Sequence, residues 1–399
     1  MKQRYYSLDV FRGATVALMI LVNNPGSWSH IFAPLAHAQW HGATPTDMVF
    51  PFFLFAVGNA MAFVIPRLQQ AGATSFYKKV IKRTLLIFLI GLLLNWFPFL
   101  NWQGDELVFK PWVDPNNPTS GIRILGVFQR IAIAYFFASL MAYYFKPKSV
   151  FFLSLLILMG YWALCAFLGG ADPYTLQGWF GTAIDLKVLG VAHMYKGEGV
   201  PFDPEGIAST LPSIVQVAFG YLVGHAITTS KNNLTSTDPK GHIYRLLSTL
   251  MVVGFIAMLI GLFWDLGFPI NKKIWSSSYV VYTTSLAIMS LGCLIWYIEV
   301  KDHRGGWTRF FDVFGKNPLF IFVISAIIPK TMWLIRIENG IGENGDIRYT
   351  NPLSWFYTEV CAKVPAPPEV GSLLYAICFL CLLWSICYWL DRKKIYIKV

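Results

Sequence analysis

The chain alternates long apolar runs with short polar breaks. Ten runs approach the roughly 20 mainly apolar residues that a helix needs to cross a bilayer. They cover residues 6–24, 47–65, 80–97, 122–145, 150–168, 208–228, 246–264, 279–298, 311–329 and 371–390. Inside lipid a spanning segment must satisfy its own backbone polar groups, so each run is predicted to be helical. The pattern predicts an all-α fold: a polytopic transmembrane bundle of about ten (10–11) spanning helices, forming one domain over residues 1–399. Lys2 and Arg4 precede the first run, and Ala36-His37-Ala38 after it resembles a signal-peptide cleavage site. That triplet lies too far beyond the apolar core for cleavage, so the run reads as a span.

Charge turns this count into an orientation. Twenty Lys and Arg, among them Lys2, Arg4, Lys231, Lys240 and Lys398, fall on the side of the two termini, against ten on the other. The positive-inside bias therefore predicts that both termini are cytoplasmic. The far side receives the longer connections, residues 25–46, 98–121, 169–207, 265–278 and 330–370, which are rich in Gly, Pro, aromatic and acidic residues. A site with selective polar chemistry is expected there. The halves of the chain show no clear repeat, which disfavours a transporter built from inverted halves.

Composition narrows the class further. Hydrophobic residues make up 55% of the chain and charged ones only 13%, against roughly 25% charged in soluble domains. Fifteen Trp and nineteen Tyr suit interfacial belts. The net charge of +11 is scattered through short loops, with no basic face or motif, so nucleic acid is not an expected partner. Cys165, Cys293, Cys378, Cys381 and Cys387 lie in apolar runs as small core hydrophobes, and only Cys361 falls in a loop. The Cys378/Cys381 pair has no second pair beside it, so neither a metal site nor a disulfide framework is expected.

The densest polar cluster joins the first two runs: Asn23-Asn24-Pro25, then Ala36-His37-Ala38-Gln39-Trp40-His41-Gly42, then Thr44-Pro45-Thr46-Asp47. Imidazole exchanges a proton near neutral pH and can act as a nucleophile. A nearby carboxylate can fix its tautomer. The plainer reading makes His37 a solvated loop residue and Asp47 the N-cap of the second helix. Arg130, with Gln129 beside it, sits inside the fourth run, where a charge is either paired or functional. It fits both a structural Arg bonded to carbonyls or a carboxylate and a planar clamp for an anion. Lys316 at the start of the ninth run either snorkels to the interface or reaches a ligand. Asp9 and Arg12 have the spacing of a local helix pair. Phe202-Asp203-Pro204-Glu205-Gly206 and Asn271-Lys272-Lys273-Ile274-Trp275-Ser276 offer acceptors and a flat ring of the kind that grips a sugar, or simple helix caps. The chain lacks the P-loop, HExxH and GxSxG patterns, which leaves His acid–base work or a substrate-borne activated group.

At these residues the chain resembles the bacterial relatives of the heparan-α-glucosaminide N-acetyltransferases, within the transmembrane acyltransferase superfamily. The matching pieces are Leu8-Asp9-Val10-Phe11-Arg12-Gly13, Val22-Asn23, His37-Ala38-x-Trp40-x-Gly42, Asp47-x-Val49-Phe50-Pro51 and Gly126-Val127-x-Gln129-Arg130. Further along they are Asp203-Pro204-Glu205-Gly206, Asn271-Lys272 with Trp275-Ser276, and Gly315-x-Asn317. The resemblance implies acetyl-CoA as a donor bound from the cytoplasm, a glucosamine-like amino sugar as acceptor on the far side, and no metal. It places the catalytic roles on His37, Asn23 and Asp47. Arg130, Gln129 and Lys316 become candidates for the donor path, and Trp40, His41, Glu205, Asn271 and Trp275 for the acceptor pocket. His41 stands where the lysosomal members have Asn, and the chain opens at the equivalent of their second span. The expected setting is a bacterial inner membrane, with lipid as a partner and room for a homodimer. The competing reading is an amino-sugar permease without chemistry; a membrane assembly factor would leave the His and Arg clusters without a purpose.

Overall fold

The structure, a computed structural model, describes residues 5–232, 239–341 and 347–397. Among the residues that set the predicted orientation, Lys2, Arg4 and Lys398 lie outside the described residues, as do the side chains of Lys231 and Lys240.

The described chain is an all-α bundle. Its helices are α1 (Tyr6–Asn23), α2 (Val49–Ala71), α3 (Ala73–Trp96), α4 (Val127–Tyr144), α5 (Pro147–Leu168), α6 (Gly181–Leu189) and α7 (Ile207–Asn232). They continue as α8 (Pro239–Asp265), α9 (Ser277–Ile295), α10 (Gly306–Lys316), α11 (Pro318–Met332), α12 (Pro352–Phe356) and α13 (Pro368–Arg392). Eight of them, α1, α2, α4, α5, α7, α8, α9 and α13, are each long and apolar enough to cross a membrane, and the bent pair α10–α11 makes up to nine.

Two of the ten predicted spans therefore differ from expectation. The run at 80–97 does form a 24-residue helix, α3. Lys78, Lys79, Lys82 and Arg83 charge its first half, however, so its uninterrupted apolar stretch falls short of a full span. Leu85, Leu89 and Leu93 still line its outer face at helical spacing. The run at 311–329 is not one helix: α10 and α11 meet at 82°. Pro318 has no N–H to continue the ladder and drives Asn317 out of the helical region, to φ −129° and ψ 48°. The Asn317 amide then holds the end of the chain, donating to the Ile395 carbonyl (3.1 Å) and accepting from Ile397 N–H (2.8 Å). The fourth run also starts late, because residues 122–126 are irregular and Gly126 is the cap of α4.

Between apolar helices in lipid, close van der Waals packing replaces the hydrophobic effect, and small residues permit it. Two such contacts organise the bundle. A Cβ on Gly58 of α2 would sit 1.9 Å from the Val217 carbonyl oxygen of α7, and one on Gly220 would sit 2.1 Å from that of Phe55. Likewise a Cβ on Gly13 of α1 would overlap the Phe311 carbonyl of α10, and one on Gly315 that of Asp9. The Asp9–Arg12 pair forms as expected, and Arg12 also donates to the Gly315 carbonyl (3.0 Å). α2 and α7 form the centre of the bundle. α5 and α8, by contrast, turn most of their apolar surface outward, as at Phe152, Leu156, Phe255 and Phe263.

The long connections hold structure that the hydropathy pattern did not show. Among the described residues three antiparallel strand pairs form there: β1 (Leu100–Gln103) with β2 (Glu106–Phe109), β3 (Val113–Asp114) with β4 (Asn117–Gly121), and β5 (Ile337–Ile341) with β6 (Ile347–Thr350).

Candidate functional site

The α1–α2 connection is tied to the α8–α9 connection by backbone. Gly42 N–H donates to the Ile270 carbonyl (2.7 Å), and Gly42 pairs with Asn271 in an isolated parallel bridge. Gly42 has φ +91°, a conformation that glycine adopts without strain. Just beyond it, Thr44 starts the 3-10 turn Pro45–Met48 that leads into α2. Asp47 is not the N-cap here. It closes a capping box on Thr44, accepting the Thr44 N–H at 3.0 Å.

The same carboxylate reaches back into the loop. Asp47 Oδ2 also accepts Ala38 N–H (3.0 Å), while Oδ1 lies 2.6 Å from His37 Nδ1. Asp47 is 1% exposed and the His37 side chain 40% exposed. A buried ionised carboxylate facing Nδ1 makes that nitrogen the N–H donor, which leaves the Nε2 lone pair available. The Tyr279 hydroxyl of α9 donates to the Asp47 carbonyl and fixes the turn from the other side.

Lys272 completes this group. Its Nζ lies 3.3 Å from Asp47 Oδ1, 3.1 Å from His37 Nδ1 and 3.5 Å from His37 Nε2, so the ammonium sits beside the ring spanning both nitrogens. Burial lowers its pKa, against the raising pull of Asp47 and Glu205. Neighbouring Asn271 uses its carbonyl oxygen on Lys273 N–H (2.8 Å) and Ile274 N–H (3.1 Å), and turns its amide nitrogen to His41 Nδ1 at 3.4 Å. Burial lowers the pKa of His41. Trp40 donates to the Tyr174 carbonyl (2.8 Å) and packs on Phe202, with Lys273 over its ring.

A second buried cluster gathers where α4, α7 and the 203–209 segment meet. Arg123 forms a two-pronged pair with Asp203 and a further bond to Glu205. Arg130, 1% exposed, stacks 4.8 Å over Trp275 and donates through Nη2 to the Pro204 carbonyl (2.7 Å) and the Ser209 hydroxyl. Its Nε and Nη1, the Gln129 amide nitrogen and Trp275 Nε1 are buried without a partner among the described residues. Trp275 has φ +52° and packs edge-on against Phe50 and Tyr279. Arg130 and Glu205, expected on separate donor and acceptor paths, thus share one polar cluster. Beside it, Asp185 of α6 accepts Ile207 N–H (2.9 Å) with Oδ1, while Oδ2 has no partner among the described residues. Burial pushes its carboxyl up to about 6.

Two expected residues lie apart from this assembly. Asn23 is the exposed last residue of α1, and among the described residues no hydrogen bond links it to His37. Lys316 lies at the end of α10, paired with Asp312 (2.8 Å) and Asp391 (3.0 Å). It borders an open cleft of about 630 Å³ that Tyr6, Arg304, Thr308 and Arg309 also line. Lys272, Arg123 and Tyr279 received no role in the sequence reading. Lys272 was visible only as the neighbour of Asn271, and Arg123 and Tyr279 carried no local signal, because their partners lie 80 and 232 positions away.

A sequence model of the heparan-alpha-glucosaminide N-acetyltransferase catalytic region matches residues 4–266. The chain belongs to that family. The match takes in His37, Asp47, Arg130 and Glu205, while Asn271, Lys272, Trp275 and Lys316 lie beyond it. The chain is 28% identical over 374 residues to the human heparan-alpha-glucosaminide N-acetyltransferase, covering 80% of this chain and 52% of that protein. It is 27% identical over 383 residues to the mouse protein of the same name, covering 82% and 54%. The chain thus spans about half the length of these curated relatives. Family membership and the long apolar helices together make it a multi-pass membrane protein of an acetyltransferase family.

Proposed function

We propose that the protein transfers an acetyl group from cytoplasmic acetyl-CoA to the amine of a glucosamine-like sugar on the far side of a bacterial inner membrane. The observation that carries this reading is the 2.6 Å contact between His37 Nδ1 and Asp47 Oδ1, with Nε2 left open at a half-exposed loop. In this reading His37 either activates the acceptor amine or takes the acetyl group itself. Asp47 holds the tautomer, and Asn23, at the mouth of the loop, stabilises the developing oxyanion.

The donor is assigned to the Arg130–Gln129 cluster and to the cleft beside Lys316. The unpartnered buried N–H groups of Arg130 and Gln129 are donors in search of acceptors, and the cleft is wide enough to admit phosphates against Arg304, Arg309 and Lys316. Trp40, His41, Glu205, Asn271 and Trp275 are assigned to the acceptor pocket. Trp40, His41 and Asn271 meet at the bridged loops, while Trp275 and Glu205 belong to the adjoining Arg130–Arg123 cluster and are assigned to its far wall. The N-acetyltransferase named for the relatives supports the reaction class.

Release of CoA by the purified full-length protein, given acetyl-CoA and a panel of amino sugars, tests the reading. An amino-sugar-dependent rate that His37→Ala abolishes is expected. A His37→Ala protein with the full rate, or a wild type that neither binds nor turns over acetyl-CoA, refutes it, and the latter result would return the chain to the permease class.

A further inference from the structure

Resting on the proposed role of His37, we infer that Lys272 is a catalytic residue: its ammonium is the counter-charge for the oxyanion that forms when an acetyl carbonyl bonds to His37 Nε2. The geometry is specific. Lys272 Nζ lies 3.5 Å from the open Nε2 and 3.1 Å from Nδ1, and it is held there by Asp47 Oδ1 at 3.3 Å. Since Nδ1 already donates to Asp47, Nε2 is the one acceptor the ring offers Lys272, at 3.5 Å; once that lone pair bonds to carbon the acceptor is gone, and the ammonium turns its N–H to the new oxygen. A turn of the flexible Lys272 side chain brings its ammonium from this position to the roughly 2.7–3.1 Å that oxyanion donors require from an oxygen on a carbon bonded to Nε2.

The step balances without a co-reactant. The Nε2 lone pair forms a bond to the thioester carbon while the carbonyl π pair moves to oxygen beside Lys272. Collapse restores the carbonyl and breaks the C–S bond, expelling the CoA thiolate. The neutral acceptor amine then adds to the same carbon, its proton passes to solvent, and the second oxyanion collapses with return of the C–N pair to Nε2. Both halves place negative charge on the same oxygen. The full charge of Lys272 adds to the amide dipole of Asn23, which no hydrogen bond among the described residues joins to His37. Asp47 plays two parts, holding the tautomer through His37 and the ammonium through Lys272.

The role requires a protonated lysine. Burial lowers the Lys272 pKa, so activity should fall as pH rises through that depressed value, and arginine at this position should extend activity to higher pH. The experiment compares Lys272→Met, Lys272→Arg and His37→Ala as full-length proteins, measuring CoA release from acetyl-CoA with glucosamine across pH, alongside thermal unfolding. Lys272→Met should lose about 10²–10³-fold in kcat, with the KM for acetyl-CoA within a few-fold. Lys272→Arg should recover at least a tenth of the wild-type rate and shift the alkaline limb upward. A Lys272→Met protein within threefold of wild type overturns the proposal while an inactive His37→Ala leaves the His37 reading intact. So does a folded Lys272→Arg protein whose alkaline limb has not moved. An active His37→Ala removes the underlying reading and the proposal with it.

Discussion

Replacing Asp47 by Asn changes little in shape and should disable the site. The two carboxylate oxygens have different neighbours. Oδ2 faces two backbone N–H groups, those of Ala38 and Thr44, each at 3.0 Å. Only an acceptor is tolerated there, so the Asn carbonyl must take that place, and its NH2 group must take the place of Oδ1. That NH2 then faces His37 Nδ1 at hydrogen-bond distance. Either two N–H donors oppose one another, or the imidazole turns to the other tautomer and puts its proton on Nε2, where the lone pair is needed. Holding the productive tautomer forfeits a bond to a charged group, about 1.5–3 kcal/mol, and leaves a donor unsatisfied, about 1–3 kcal/mol. A central total of about 3–5 kcal/mol corresponds to a loss of about 10²–10⁴-fold in kcat at 1.36 kcal/mol per decade. Stability should change far less, because the capping box survives. The partly exposed Lys272 loses its partner at a cost of about 1–2 kcal/mol. The assay is steady-state CoA release with glucosamine, run beside thermal unfolding in the same detergent. A folded Asp47→Asn protein that keeps more than a tenth of the wild-type kcat refutes the tautomer argument.

Two further predictions concern stability. Gly58→Ala puts a methyl group where the Val217 carbonyl oxygen lies 1.9 Å away. It should separate α2 from α7 and cost about 1–3 kcal/mol, and a thermal midpoint equal to wild type would refute the close crossing. Folding raises the Asp185 carboxyl from 3.8 to about 6. Its stabilising contribution is therefore full below about pH 4 and is lost as pH rises through about 6, amounting to about 3 kcal/mol. Asp185→Asn should flatten the stability profile between those limits, as read by thermal unfolding from pH 4 to 8, and an unchanged slope would show that another group titrates there.

The periodicity located every long helix, because a bilayer imposes one length and one composition on whatever crosses it. It failed where a local residue overrides bulk hydropathy. Pro318 breaks a run that reads as continuous, and four cations in the first half of α3 shorten an apolar stretch that composition alone would extend. The strand pairs were invisible because they lie in short loop segments whose apolar residues follow no helical period. In the site, His37 and Asp47 were legible since ten positions and one turn join them. The link from Asp47 to Lys272 was not, because it depends on two loops meeting across the bundle. Arg130 was visible as a charge in an apolar run, but its stacking on Trp275 and its bonds to the 203–209 segment could be seen only once the helices were assembled.

The Gly42–Asn271 bridge bears on how such a site can diversify. It fixes the spacing of His37 and Lys272 through main-chain atoms, two loops being joined like rails by a cross-tie. The side chains of Trp40 and His41, which the same loop carries, take no part in this main-chain bridge. In the proposed reaction, substitution at these positions is expected to alter which amine is admitted while His37 and Lys272 keep their alignment.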